Sequence, residues 1–193
     1  MQRYYALRGV KNPALRVLLI SDALVLISAA MITPIYAAFV DSVGGDILDA
    51  GLTAAGLAFG SAFAALVAGK YADGLREKKS LLVLSHAVVG AGFLLFITVH
   101  NVWYLAAIQV VIGLVRALAD PAFDALYSKH LDRNEEAAEW GTWEAIAYAA
   151  GGVGAILGGL IVHFSSFKAL FITMGVLCLL SALYINRIPR RVL

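Results

Sequence analysis

Five ionisable residues interrupt long apolar stretches of this 193-residue chain: Asp22, Arg116, Asp120, Asp124 and Glu144. A charge near the bilayer centre costs roughly 2.5–3.5 kcal/mol on insertion scales, so residues of this kind face protein, water or one another rather than lipid. Arg116, Asp120 and Asp124 follow at four-residue intervals, which on a helix puts them on one face and within pairing reach. Two kinds of chemistry fit. In one, Arg116 lines a water-filled cavity and holds an anionic group or compensates an acid. Asp22 or Glu144 then takes up a proton, which removes the cost of a buried charge. Asp120 and Gln109 share the stretch with Arg116 and join the cavity set. In the other, Asp120, Asp124 and Glu144 form a structural charge network with Asp73 and Arg76 at one set of helix ends. His86 reads as a hydrogen-bonded packing residue.

Other chemistries lack their ingredients. Ser61 and His163 suggest an intramembrane hydrolase, yet one lies deep in its apolar run and the other at the far end of a different run, out of hydrogen-bond reach. The sequence has no glycine-rich phosphate loop. Cys178 is the sole cysteine, which excludes an intrachain disulfide and a multi-cysteine metal site. The expectation is a protein that is not an enzyme and carries no metal or cofactor.

The elements that must position these charges are membrane helices. Hydrophobic residues make up 61% of the chain and charged residues 15%, against about 45–50% and 25% in soluble domains. Six apolar stretches, Val17–Val40, Leu52–Ala68, Ser80–Val99, Trp103–Tyr127, Trp140–Phe164 and Ala169–Ile188, each approach the roughly 20 residues a spanning helix needs. They leave no room for a soluble catalytic head, so residues 1–193 read as one transmembrane domain. The first stretch is too long for a signal-peptide core and reads as a retained helix. Arg116 stands 13 residues past Trp103, about 20 Å along the helix and just beyond the midplane. Thirteen of the fifteen Lys and Arg fall on the side of the termini, which predicts cytoplasmic N- and C-termini in a cell inner or plasma membrane. These basic segments suit lipid headgroups better than nucleic acid.

An internal repeat is present. At an offset of 90 residues Gly51 and Ala55 fall on Gly141 and Ala145, while Ala65 and Gly69 fall on Ala155 and Gly159. Repeat 1 covers about residues 14–100 and repeat 2 about 101–190. Each has three spans, so the two are inverted in the bilayer, a device of several transporter folds. Gly151, Gly154, Gly158 and Gly159 concentrate in the fifth span, where small residues let backbones approach.

Taken together, these features resemble one half of a major facilitator superfamily transporter. The segment Gly69-Lys-Tyr-Ala-Asp73-Gly-Leu-Arg76-Glu77-Lys78-Lys79 is similar to the family's cytoplasmic signature G-x-L-a-D-r-x-G-r-k, with Gly69, Asp73 and Lys78 in matching places and Arg76 in place of the second glycine. The run from Gly151 to Gly159 resembles G-P-x-x-G-G, with Ala155 where the proline would stand, and Gln109 takes the place of the arginine in R-x-x-q-G. The resemblance implies a gate at the cytoplasmic ends that involves Gly69, Asp73, Arg76, Lys78 and Asp124. It also implies movement of a small solute by alternating access between two six-helix halves. Those halves are related by an axis along the membrane normal, so two copies in the same orientation, a parallel homodimer, would complete the arrangement. A different partner chain, a fragment of a longer protein and a non-transporting scaffold are the alternatives.

Overall fold

The computed structural model describes residues 12–72, 78–189 and 192–193, and every described element is helical. Helix α1 (Pro13–Ile32) starts at Asn12, whose side chain accepts the Ala14 amide at 3.0 Å, with proline at the first helical position, where its missing N–H costs nothing. Pro34 tightens the chain into a 3₁₀ turn over Thr33–Ile35, and the span resumes as α2 (Tyr36–Ser42). Next come α3 (Ile47–Ala72), α4 (Lys78–Leu95), α5 (Val102–Lys129), α6 (Glu136–Phe164) and α7 (Phe167–Arg187). Polar caps fix the starts of α3, α5 and α7. Asp46 and Asp49 exchange side-chain to amide hydrogen bonds at the head of α3, while Asn101 and Ser166 cap α5 and α7. The six stretches expected from the sequence correspond to six helices long and apolar enough to cross a bilayer.

The helices do not pack as two separate groups of three. α3 lies against α5, and α6 against α1; α4 lies against α5, and α7 against α1; α4 and α7 pack on each other. Exchanging the first three spans for the last three leaves this set unchanged, which is the symmetry the internal repeat implies. The pseudo-two-fold passes between α4 and α7. There a Cβ on Gly90 would stand 3.0 Å from the Gly175 carbonyl, and one on Gly175 would stand 3.0 Å from the Gly90 carbonyl. Neither position has room for a side chain.

Small residues also set the other crossings. A Cβ on Gly154 or Gly158 would collide with the α1 backbone at Ile27 or Met31, and one on Gly113 with the α3 backbone at Leu57. By contrast Gly151 and Gly159 have open space where a Cβ would be, so the packing expected of all four α6 glycines holds within the chain for two. Gly159 is turned about 100° from Gly158, whereas Gly151 shares the face of Gly158 but stands two turns along, where no described atom comes within 4 Å.

Two apolar cores result. One, near the end opposite the termini, packs Phe39, Phe96, Phe171 and Met174; the other, near the termini, packs Leu15, Leu18, Leu82, Phe123, Tyr127 and Ile185. Between them runs a belt of polar side chains.

Candidate functional site

The belt is held by hydrogen bonds that cross between helices. Ser28 donates to the Met174 carbonyl at 2.8 Å and accepts from the Cys178 thiol at 3.3 Å, and all of these atoms are buried. Ser181 donates its hydroxyl proton to the Ser21 carbonyl at 2.7 Å, and its oxygen lies 2.9 Å from His86 Nδ1. A serine has one proton to give, so here its oxygen accepts and His86 carries hydrogen on Nδ1. That leaves Nε2 as a bare acceptor. Nε2 has no hydrogen-bond partner among the described residues and is not sealed from the cavity that His86 lines.

Two cavities flank the belt. The first, about 290 Å³, is bounded by Asp22 of α1, Ser85 and His86 of α4, Arg116, Asp120, Phe123 and Asp124 of α5, and Trp143 of α6. These positions fall on the half of each helix nearer the termini. The second, about 560 Å³, lies toward the opposite end among Thr33, Tyr36, Leu57, Ser61, Phe96 and Gln109. Arg116 and Asp120 line both. They stand where the two cavities meet.

Within the first cavity the Asp22 carboxylate accepts the Trp143 indole N–H at 2.8 Å, which ties α1 to α6. The Phe123 and Trp143 rings lie 6.2 Å apart along one wall. The i,i+4 spacing allows Arg116 and Asp120 to pair, yet among the described residues no hydrogen bond or ion pair holds the guanidinium. Both groups are directed to the cavities instead.

The structure therefore places Asp22, Arg116 and Asp120 together, adds Asp124 to them, and puts buried Gln109 in the second cavity. Glu144 is exposed and lines neither cavity of the single unit; the α6 residue that reaches the first cavity is its neighbour Trp143. Of the expected gate residues, Asp73 and Arg76 lie outside the described residues. Gly69 ends within α3, and Lys78 begins α4 half-buried. Sequence reasoning set His86 aside as a packing residue, and it lines the cavity together with Ser85 and Trp143. The period of α4 puts Ser85, His86 and Val89 on its inward side, a signal readable once α4 is known to face α5.

Near the termini the connection between α5 and α6 is anchored. Glu139, 7% exposed, accepts the Asp132 amide at 2.8 Å, and its backbone carbonyl accepts the Tyr127 hydroxyl at 2.7 Å. Asn12 donates to the His130 carbonyl at 2.7 Å and fastens the start of α1 to the end of α5. The floor of the first cavity is thus braced from two sides.

The sequence profile of the Major Facilitator Superfamily matches residues 18–192. Among curated proteins, the chain is similar to the Proton-coupled antiporter flippase LtaA from two strains of Staphylococcus epidermidis. Identity is 27% over 114 residues, which cover 55% of this chain and 28% of the relative's length. The chain thus matches just over a quarter of those relatives.

Proposed function

Because this chain belongs to the Major Facilitator Superfamily, we propose that it moves a small solute across the bilayer by alternating access, along a path that passes Arg116 and Asp120. The observation that carries this reading is the pair of cavities, one toward each end of the helices, that share those two residues. A solute released from one cavity meets the same charges from the other side.

A second unit completes the path. Asp120 and Glu144 are exposed in the isolated six-helix unit, a costly placement against lipid. Water or a second unit at that face removes the cost. Gly51, Gly141, Gly151, Gly152 and Gly159 likewise offer close-approach positions that no described residue fills. A second copy in parallel orientation is the partner proposed, and a different six-helix chain is the alternative. Proton coupling, as the name of the Staphylococcus relatives states for them, is proposed to use Asp22, the acid held at the cavity wall by Trp143.

Thiol labelling tests the route. Cys178 is fully buried, so Cys178→Ala gives a background for single cysteines at Ser85 in the first cavity and Ser61 in the second. Membrane-impermeant thiosulfonate reagents are expected to reach Ser85→Cys from the side of the termini and Ser61→Cys from the opposite side. Reaction of both only with lipid-soluble reagents would overturn the path.

A further inference from the structure

We infer that the first cavity is built for a protonated organic amine. This rests on the proposed solute path and adds the chemical class of the solute. The inference starts from charge. The lining carries three carboxylates, Asp22, Asp120 and Asp124, against one guanidinium, Arg116. Its formal charge is negative with all three ionised, and it stays negative if any one of them takes a proton. An anion entering here would meet one cation and at least two repelling acids.

Hydrogen-bond capacity points the same way. The Trp143 N–H is engaged by Asp22, the Ser85 hydroxyl points to the Val115 carbonyl at 3.4 Å, and the His86 Nδ1–H is engaged by Ser181. What these side chains leave open are acceptors: carboxylate oxygens and the bare Nε2 of His86. The His86 side chain is 7% exposed, lines the cavity, and has no partner for that nitrogen among the described residues. Arg116 supplies the remaining donors. An ammonium group has three N–H donors and no acceptor, so it complements this set. A carboxylate or phosphate would find few donors beyond Arg116. A quaternary ammonium would satisfy the charge and leave Nε2 without a proton to accept.

The rest of the wall suits an apolar tail. Phe123 and Trp143 present ring surface, which attracts cations as well as covering carbon, and Val25, Leu26 and Val89 complete it. A volume of about 290 Å³ sits at the low end of ligand sites, roughly 300–1,000 Å³. The solute is therefore small: an amine on a single aromatic ring or a short hydrocarbon.

Three probes with one carbon skeleton separate the possibilities. Radiolabelled 2-phenylethylammonium, 3-phenylpropanoate and trimethyl(2-phenylethyl)ammonium would be dialysed to equilibrium against the full chain in lipid nanodiscs. The primary amine is expected to bind saturably and at least tenfold tighter than either of the others. Asp22→Asn and His86→Phe are each expected to weaken it at least fivefold, with circular dichroism confirming that the helices persist. Tighter binding of the propanoate, lost in Arg116→Gln, would overturn the amine assignment and leave the solute path standing. Equal binding of the two cations, unaffected by His86→Phe, would overturn the assignment to an N–H donor. Failure of all three to bind would also overturn the inference. The path itself falls only if the cysteines at Ser85 and Ser61 are both closed to water-borne reagents.

Discussion

Trp143 and Asp22 make the contact in the cavity wall whose removal is most direct to interpret. Trp143→Phe keeps a ring and deletes the N–H that the carboxylate accepts. A hydrogen bond to a charged group contributes about 1.5–3 kcal/mol. The variant is expected to unfold at lower temperature in detergent, by a few degrees, with its helical content intact. Ser181 is the second test. It is fully buried, accepts from His86 and donates to the Ser21 carbonyl, so Ser181→Ala strands two partners at once. A loss of about 1–3 kcal/mol is expected in reversible denaturant unfolding, and Ser181→Thr, which retains the hydroxyl, should recover most of it. Asp22, Arg116, Asp120 and Asp124 stood out in the sequence because charge in an apolar run is costly against lipid, and the structure sets them around one cavity. His86 was not legible: its partner is 95 residues away, and neither its type nor its neighbours distinguish a cavity residue from a packed one. Glu144 shows a related limit of sequence. Placing it within a span does not fix its helical phase, and one residue of rotation gives the cavity to Trp143.

At the scale of the helices, glycine position decides between two outcomes. Gly158 faces the Met31 backbone while Gly159 faces open space. Gly158→Val forces α6 away from α1 and is expected to lower stability by about 1–3 kcal/mol, the usual cost of overpacking, read as a falling midpoint in thermal unfolding. Gly159→Val should leave that midpoint nearly unchanged. The six spans themselves were legible from hydrophobicity and length alone, since lipid demands continuous helices. The prolines were not equally legible. Pro34 and Pro121 occupy related places in the two repeats, yet the first breaks its span at Thr33–Ile35 and the second sits within an unbroken α5. What surrounds each turn decides between those results, and sequence does not record it.

At the scale of the whole molecule, the open glycines on α3 and α6 and the exposed Asp120 and Glu144 mark the face proposed for a second copy. Native mass spectrometry with gentle activation is expected to give a species of twice 20.5 kDa, and Gly159→Val is expected to shift it toward the monomer while the fold remains. A persistent monomer of the unaltered chain in lipid would overturn the homodimer. The repeat was legible in the sequence as a handful of matched small residues. Its strength became apparent only in three dimensions, where the helix contacts survive exchange of the halves.

That exchange of partners governs the protein's birth as well as its resting form. α1 packs on α6 and α7, α3 on α5, and α4 on α5 and α7, so the first three spans of this unit are made while their principal neighbours are still unsynthesised. Until α6 and α7 enter the bilayer, Asp22 waits without Trp143, Ser28 without the Met174 carbonyl, and Gly90 without Gly175. The early helices must be inserted singly and sheltered, and the last to arrive closes the bundle. A nascent chain halted near residue 100 would be threaded through the membrane and not yet folded, a natural client for whatever machinery guards unfinished membrane proteins.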